Sequence, residues 1–483
     1  MRLTQADASF IYQESASGPM HIASVYVLDG VAPFEKIFTR FEKRMHLIPI
    51  YRKKLVQVPF SLSHPVWVDD PDFDLTRHVM HHVLPGNPTL QEGIDAAVDL
   101  NEPLMDRSKP LWEFIVIEGV PDKTLLLQRS HHAMIDGASG IDLTMTLYDL
   151  EKDAGEPVPP NEPWEPEPMP GPAALIAAAV EENVKNLSDF NPLKIMGDME
   201  TNRERLTKAS EVISKFSTQP AITAPFNAGI VGPKRKVMWL KKPFGEIREI
   251  RRQLGGTIND IVLAVLSEAV ARYLKQHDEP IKGQKLRIMC PVNVRTENQQ
   301  GSLGNQVSAI FPMFSAEPME CTDRLKAVVL ETTKIKEDEE AQALTVMQET
   351  TPSMPPLAMA ASQLVGTPYD PTALAARIDW PVAPNTGFRP PNPGYNFTCT
   401  NVPGVQVPQY MCGHQVTDTI GFLVLSGNVG FSATILSYNK QLFFNFICEP
   451  KLLPDLDVLT QHVEDVYQEL LAAAGKLTQS AEN

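Results

Sequence analysis

One short stretch of the chain combines residue types that suit acid–base chemistry: Ser130-His131-His132-Ala133-Met134-Ile135-Asp136-Gly137. It follows the apolar run 125–128, so a histidine at the end of this strand would be held rigidly while its ring reaches a cleft. The unperturbed pKa of histidine, about 6.5, suits the ring to accept a proton at neutral pH. Asp136 could anchor the loop by pairing with a cation, and Gly137 permits a turn conformation that other residues avoid. Together these residues predict a positioned general base.

Three other interpretations of this stretch compete with the general base. Adjacent histidines on a strand are most often ordinary surface residues or satisfied core residues. A metal site could use the histidines and the aspartate as ligands, but no H-E-x-x-H motif or second ligand cluster accompanies them in the sequence. A serine nucleophile would need a G-x-S-x-G elbow, which is absent, including at 137–140. Residue types alone therefore leave a general base and a structural role open.

The elements that must position this stretch can be predicted from the spacing of apolar residues. Apolar residues at three- and four-residue spacing predict one helix between Pro33 and Pro49, and a second that begins near Ser139. In the second half, the predictions are helices over 257–275 and 456–470, strands over 286–292 and 306–313, and a hairpin over 429–435 and 442–447. Strands and helices in both halves predict a layered α/β or α+β architecture.

The composition is that of a folded protein of 483 residues, 43% hydrophobic and 21% charged, and this length favours two to three domains. The net charge of −16 argues against nucleic acid as a partner. The five cysteines form no C-x-x-C pair, which favours reduced cysteines in a cytosolic protein and argues against structural zinc. Without an apolar signal-peptide core or a run of ~18 apolar residues, we expect a cytoplasmic protein whose membrane contact is peripheral.

A proline-rich segment marks the predicted domain boundary. Residues 156–172 read EPVPPNEPWEPEPMPGP, which cannot support a helix or a central strand and should run extended on the surface. Sequence with helical character follows up to about residue 217. The predicted organisation is an N-terminal domain at 1–155, a linker with crossover helices at 156–234, a C-terminal domain at 235–475 and a tail at 476–483.

The HHxxxDG pattern at 131–137 resembles the signature of CoA-dependent acyltransferases and condensation domains of the chloramphenicol acetyltransferase type. Further motifs resemble, in order and approximate spacing, those of the bacterial wax ester synthase/diacylglycerol acyltransferase family. They are Asp7-Ala8-Ser9-Phe10, Pro19-Met20-His21, Pro110-Leu111-Trp112-Glu113, Asn259-Asp260, Pro291-Val292-Asn293-Val294-Arg295 and Asn401-Val402-Pro403-Gly404. The resemblance covers nearly the whole chain and leaves out mainly the linker region and the C-terminal tail.

The resemblance implies an α/β (α+β) fold of two chloramphenicol-acetyltransferase-like domains with an active-site channel between them. It also implies that His132 is the general base that takes the proton from an alcohol hydroxyl, with His131 supporting the loop. Asp136 would orient this loop through a salt bridge with Arg295, and Gly137 would form its turn.

Two further segments receive roles from the same resemblance. The Pro110-Leu111-Trp112 segment would line the acyl channel, with ordinary core packing as the alternative. Asn259 is a candidate donor for the oxyanion, and Asp260 would support the site. The pattern Thr257-x-x-Asp260 also resembles a helix cap, so a purely structural role stays open.

The activity implied is an O-acyltransferase that makes wax esters or triacylglycerol from long-chain acyl-CoA and a fatty alcohol or diacylglycerol. Acyl-CoA would be a co-substrate, and no other cofactor or metal is expected. Apolar substrates imply contact with the inner membrane or lipid inclusions, and an exposed apolar face at 173–180 is the candidate surface, with a helix packed between domains as the alternative. Two other hypotheses are acyl transfer to a specialised lipid or polyketide hydroxyl, and a non-catalytic lipid-binding homologue.

Overall fold

The computed structural model describes residues 1–134, 143–160, 162–189, 200–293, 307–350 and 394–482, with the single positions 197, 356, 357, 359 and 392. The strands are β1 His21–Asp29, β2 Lys53–Val56, β3 Val66–Asp69, β4 Val79–Val83, β5 Trp112–Glu118, β6 Lys123–His131, β7 Lys236–Pro243, β8 Lys285–Asn293, β9 Val307–Ile310, β10 Met313–Ser315, β11 Phe397–Pro403, β12 Tyr410–Met411, β13 His414–Phe422, β14 Phe431–Tyr438 and β15 Gln441–Cys448. The longer helices are α1 Gln5–Gln13, α2 Phe34–Arg44, α3 Leu90–Asn101, α4 Pro172–Asp189, α5 Arg203–Thr218, α6 Phe244–Leu254, α7 Ile258–Gln276, α8 Cys321–Glu337, α9 Glu340–Thr350 and α10 Leu456–Glu482.

The first sheet has six strands in the order β12-β13-β1-β6-β5-β4. Side chains alternate between the two faces of a strand, so each strand of this sheet serves two layers. On one face, Val25 and Val27 of β1 pack with Ile94 and Ala97 of α3. The other face packs against α1 and α2, with Phe41 in its core. The mixed α/β layering predicted from the sequence is confirmed for this half.

The second sheet has seven strands, in the order β10-β8-β11-β14-β15-β7 with β9 paired to β8. Ile247 of α6, Val265 of α7 and Val463 of α10 share a core with Ile435 and Phe444 of this sheet. A third, two-stranded sheet is formed by β2 and β3. Helices therefore cover both large sheets, as expected for the two α/β domains that the resemblance implies.

The β14–β15 hairpin confirms the predicted one, with the first strand shifted to 431–438 and the second lengthened to 441–448. Its two-residue turn is Asn439-Lys440, with φ of 45° and 60°. Positive φ at both turn residues matches the right-handed twist of the flanking strands. The single strand predicted over 306–313 is wrong in part, because Phe311 and Pro312 separate β9 from β10. Proline has no N–H to donate to a strand ladder, so it is found where a strand ends.

Strands from the second half of the chain lie in the first sheet. β13 is antiparallel to β1, with Val25 opposite Ile420, and β12 pairs with β13. These strands fall within residues 235–475, the range predicted for the C-terminal domain. Alternation of apolar residues identifies a strand but not the sheet that it joins, so the sequence could not place β13.

The proline-rich segment runs without regular secondary structure over its described residues, and it is fixed to the first half at several points. Glu156 pairs with Arg44, and the Glu167 N–H donates to Asp69. The Arg52 guanidinium lies 4.8 Å from the centre of the Trp164 ring. The next element, α4, packs on the same half, with its residues Leu175 and Ala179 against Val58 and Val66.

Among the described residues, no single helix is long and apolar enough to cross a membrane. One pair of helices, α6 and α7, meets the length and composition test only when taken together, and the pair is bent by 94°.

Candidate active site

The two histidines of the HHxxxDG pattern lie where β6 meets its neighbours on both sides. The His131 N–H donates to the Leu111 carbonyl at 2.9 Å, and the His132 N–H donates to the Met20 carbonyl at 2.8 Å. His132 is half-buried, and its ring stacks on Phe10 of α1 with 4.1 Å between ring centres and an interplanar angle of 5°. Backbone bonds and an aromatic face thus hold the predicted base in a defined position.

The ring of His131 is completely buried, and its contacts fix its tautomer. The Ala133 N–H donates to Nδ1 at 3.1 Å, so Nδ1 is the unprotonated nitrogen. The Nε2 atom, which then carries the proton, lies 3.3 Å from Glu14 Oε1. β6 ends at His131, and His132 is the first residue of the turn that follows. These contacts agree with the predicted role of His131 as support for the loop.

The sequence did not identify Glu14, whose side chain is only 2% exposed. Its Oε1 accepts from the Met20 N–H at 3.1 Å, and its Oε2 accepts from the Arg107 guanidinium at 2.8 Å. Burial alone would raise the pKa of Glu14, but the neighbouring His131 and hydrogen bonds from Arg107 and Met20 outweigh it and lower the pKa to about 2. Glu14 is therefore ionised at neutral pH. The only sequence signal was its place just before the Pro19-Met20-His21 motif.

His21 lies directly opposite His131 in the β1–β6 pair. Its Nε2 donates to the Asn101 carbonyl at 2.6 Å, and the ring is 4% exposed. Burial, together with the nearby charge of Arg129, lowers the pKa of His21 to about 4. Arg129 is itself neutralised by Glu113, at 2.8 Å from its Nε. His21 is thus a neutral, buried neighbour of the histidine pair.

The Pro110-Leu111-Trp112 segment lies in the core beneath the histidines. Leu111 and Trp112 are almost fully buried, and the Leu111 carbonyl accepts from His131, as described above. Trp112 Nε1 donates to the Tyr51 carbonyl at 2.8 Å, and its ring stacks on Tyr51 with 4.1 Å between centres. These are the contacts of core residues that support the end of β6. That the segment lines an acyl channel stays a prediction.

Asn259 and Asp260 lie in the first turn of α7, in the second half. Asp260 Oδ2 accepts from the N–H and the hydroxyl of Thr257, each at 2.8 Å, and its Oδ1 accepts from Thr332 at 2.7 Å. This is a complete capping box, which satisfies the free N–H groups at the start of the helix. The cap suggested by the Thr257-x-x-Asp260 pattern is present, and the site roles of Asn259 and Asp260 stay predictions.

Three of the predicted site residues, Asp136, Gly137 and Arg295, lie outside the described residues. The predicted salt bridge between Asp136 and Arg295 therefore stays a prediction.

Comparison with protein families assigns the chain. Residues 3–262 match the family model of the wax ester synthase/diacylglycerol acyltransferase catalytic domain, and residues 303–471 match that of the WS/DGAT C-terminal domain. Because these matches span most of the chain, the protein belongs to the wax ester synthase/diacylglycerol acyltransferase family. It is accordingly an O-acyltransferase.

Individual relatives agree with this assignment. A Mycobacterium tuberculosis (strain H37Rv) protein named as a probable diacylglycerol O-acyltransferase is 26% identical over 490 residues, which cover 97% of this chain and 96% of that protein. The solved wax ester synthase/diacylglycerol acyltransferase from Marinobacter aquaeolei VT8 superimposes with a TM-score of 0.64 at 20% identity, covering 98% of this chain and 100% of that one.

A more distant structure shares the fold. The starter condensation domain of rhizomide synthetase, a mutant solved with C8-CoA and Leu-SNAC, superimposes with a TM-score of 0.56 at 13% identity. The alignment covers 97% of this chain and 92% of that domain. The fold class predicted from the HHxxxDG resemblance is therefore confirmed.

Proposed function

We propose that this enzyme transfers a long-chain acyl group from acyl-CoA to the hydroxyl of a fatty alcohol or of diacylglycerol, giving a wax ester or triacylglycerol. The observation that carries this proposal is the position of His132, whose backbone N–H donates to the Met20 carbonyl and whose half-buried ring stacks on Phe10. A base held in this way needs no reorganisation before it accepts a proton. The CoA thioester donor is also supported by the C8-CoA complex of the related condensation domain.

In the proposed reaction, a neutral His132 takes the proton of the acceptor hydroxyl while the alcohol oxygen attacks the thioester carbonyl carbon. A carbon–oxygen bond forms, and the carbonyl oxygen takes up negative charge. Collapse of this tetrahedral species breaks the carbon–sulfur bond, and the departing CoA thiolate receives the proton from the His132 imidazolium. Ester and free CoA leave, and the histidine returns to its starting state without an acyl-enzyme.

We also propose that the enzyme works at the surface of a membrane or lipid inclusion, because both proposed products are insoluble in water. Ala173, Ala177, Val180 and Val184 of α4 recur at four-, three- and four-residue spacing and are exposed. This spacing places them on one side of the helix, opposite the side that carries the buried Leu175. The stripe is the surface through which we propose that the protein contacts lipid.

The test of the chemistry is CoA-thiol release from palmitoyl-CoA by purified protein, with hexadecanol or dipalmitoylglycerol as acceptor. We expect acceptor-dependent release by the wild type and a loss of roughly 10²- to 10⁴-fold in kcat in His132→Ala, since general-base catalysis is worth about that much. His82→Ala, which removes a histidine of β4 instead, is the matched control and should keep full activity.

Two results would contradict the proposal. A folded His132→Ala protein with wild-type turnover would exclude His132 as the base. A wild type that is inactive with both acceptors would exclude fatty alcohols and diacylglycerol as its substrates.

A further inference from the structure

The N-terminal helix and the residue that follows it contact the two adjacent histidines, His132 and His131. Phe10 lies in the last turn of α1, and Glu14 is the residue that follows this helix. The Phe10 ring stacks on His132, whereas the Glu14 carboxylate lies 3.3 Å from Nε2 of His131. The Glu14 N–H donates to the Phe10 carbonyl at 3.2 Å, so the two residues are joined by the last backbone bond of the helix.

Met20 provides a second connection between Glu14 and His132. Its N–H donates to Glu14 Oε1, and its carbonyl accepts from the His132 N–H. The Glu14 carboxylate is therefore linked to His132 in two ways: through the backbone of Met20, and through the ring of the adjacent His131. A displacement of Glu14 would move both supports together.

Arg107 fixes the position of the carboxylate from the other side. Its guanidinium donates to Glu14 Oε2 at 2.8 Å and to the carbonyl of Ile11 at 3.0 Å. The Ile11 carbonyl belongs to the last turn of α1, where carbonyl groups lack partners within the helix and attract a cation. The end of α1, the carboxylate and the histidine turn are thus held as one unit.

We propose that Phe10 and Glu14 form a clamp that positions His132 for proton transfer and fixes His131 as the Nε2–H tautomer. In this clamp Glu14 is a positioning residue: it accepts the Nε2 proton of His131 and holds Met20, and it takes no proton from substrate. Phe10 limits the rotation of the His132 ring by covering one of its faces. The inference rests on the proposed function, because it assigns to the same base the residues that orient it.

The clamp predicts which substitutions at position 14 will be tolerated. Leu in place of Glu14 leaves the buried Nε2–H of His131 without an acceptor, so the ring should rotate or change tautomer. Gln keeps an oxygen that can accept from both His131 and Met20, and its amide NH2, which cannot accept, replaces the oxygen that pairs with Arg107. We therefore expect Glu14→Leu to lower kcat about 10- to 100-fold with little change in KM, and Glu14→Gln to keep most of the activity.

Two substitutions at position 10 should likewise differ in their effect on kcat. Phe10→Tyr retains a flat aromatic face, whereas Phe10→Leu does not. We expect wild-type turnover from the first variant and a fall in kcat of about tenfold from the second, again with KM nearly unchanged.

The matched control for a buried carboxylate is Glu340, which pairs with Lys215 at 2.5 Å in the second half of the protein and is 4% exposed. Glu340→Leu should lower the free energy of unfolding, as we also expect for Glu14→Leu, but it should leave kcat at the wild-type value. Equal losses of kcat in Glu340→Leu and Glu14→Leu would overturn the clamp, as would a Glu14→Gln variant no better than Glu14→Leu.

A measurement that needs no turnover tests the clamp separately from the proposed function. The ¹⁵N shifts of the His131 ring in histidine-labelled protein report which nitrogen carries the proton. We expect the Nε2–H tautomer in the wild type and in Glu14→Gln, and its loss in Glu14→Leu. An unchanged tautomer in Glu14→Leu would overturn the proposal, whereas a wild type inactive with both acceptors but showing these shifts would contradict only the proposed function.

Discussion

The histidines of this protein differ in burial, and the difference matters for how the stability of the fold depends on pH. His132, the proposed base, is half-buried, whereas His21 and His78 are almost completely buried. His78 donates from Nδ1 to the Trp112 carbonyl at 2.8 Å and stacks on the Trp112 ring. Burial lowers the pKa of His78 to about 4, so the folded protein keeps this ring neutral at a pH where an unfolded chain would protonate it.

The sign of the resulting pH dependence follows from proton binding. Between about pH 6.5 and pH 4 the unfolded state binds a proton at His78 that the folded state does not bind, so stability falls as the pH decreases through this range. The loss from this one residue should reach roughly 2–3 kcal/mol by pH 4.5. We expect the free energy of unfolding of His78→Gln to fall less steeply than that of the wild type, as measured in urea at pH 7, 5.5 and 4.5. The exposed His81, changed to Gln, is the control, and identical slopes for His78→Gln and wild type would contradict the assignment.

At the scale of elements, the Asn401-Val402-Pro403-Gly404 motif lies at the end of β11, where this strand pairs in parallel with β14 of the second sheet. Pro403 at the end of β11 lies opposite Ser437 of β14, and the Gly404 N–H donates to the Ser437 hydroxyl at 3.2 Å. A Cβ at position 404 would collide with the Ser437 carbonyl oxygen. The glycine is therefore required by the close approach of two backbones.

Gly404→Ala should destabilise the protein, because β11 and β14 must separate to admit the methyl group. We expect a loss of about 1–3 kcal/mol, visible as a lower midpoint in thermal unfolding. Gly245→Ala is the control, since no atom lies within 4 Å of the added Cβ and alanine is favoured in a helix. A Gly404→Ala protein that melts with the wild type would show that the strands can adjust without cost.

Local signals predicted part of the elements, and the contacts between distant elements could not be read from the sequence. The β14–β15 hairpin and the cap of α7 depend on residues only a few positions apart, so apolar spacing and the Thr257-x-x-Asp260 pattern were enough. Residue types singled out the histidine turn, and its resemblance to a family implied the role of His132. Glu14 was missed, because its contact with His131 exists only once α1, β1 and β6 are assembled. The membership of β13 in the first sheet was missed for the same reason.

At the scale of the whole molecule, the two halves are interlocked. β13 completes the first sheet, and an apolar cluster joins Val25 and Ile420 of that sheet to Val237 and Ile447 of the second. The proposed base therefore directly follows a strand of a sheet to which both halves contribute. Such an arrangement makes the position of the active-site turn depend on the fold of the complete chain.

The net charge and the exposed apolar residues of the molecule indicate how the enzyme should bind to a lipid surface. The net charge of −16 opposes attraction to anionic headgroups, so the proposed contact must come from apolar burial. Val180 and Val184 of α4 are 49% and 60% exposed and lie within the apolar stripe. Apolar burial is not screened by salt, whereas attraction between charges is. We therefore expect flotation with phosphatidylcholine/phosphatidylglycerol vesicles to persist at high salt.

A double variant tests whether the apolar stripe of α4, and not nonspecific adsorption of the protein, makes the lipid contact. Val180→Asp/Val184→Asp should abolish flotation, since each charge would have to enter the interface without a partner. Ile213 of α5 is 46% exposed on another helix, so Ile213→Asp is the matched control and should float as the wild type does. Complete release of the wild type by salt would show that charge drives the contact, and flotation of the double variant would show that another surface makes it. Both results would place the lipid contact away from α4, and neither would alter the assignment of His132.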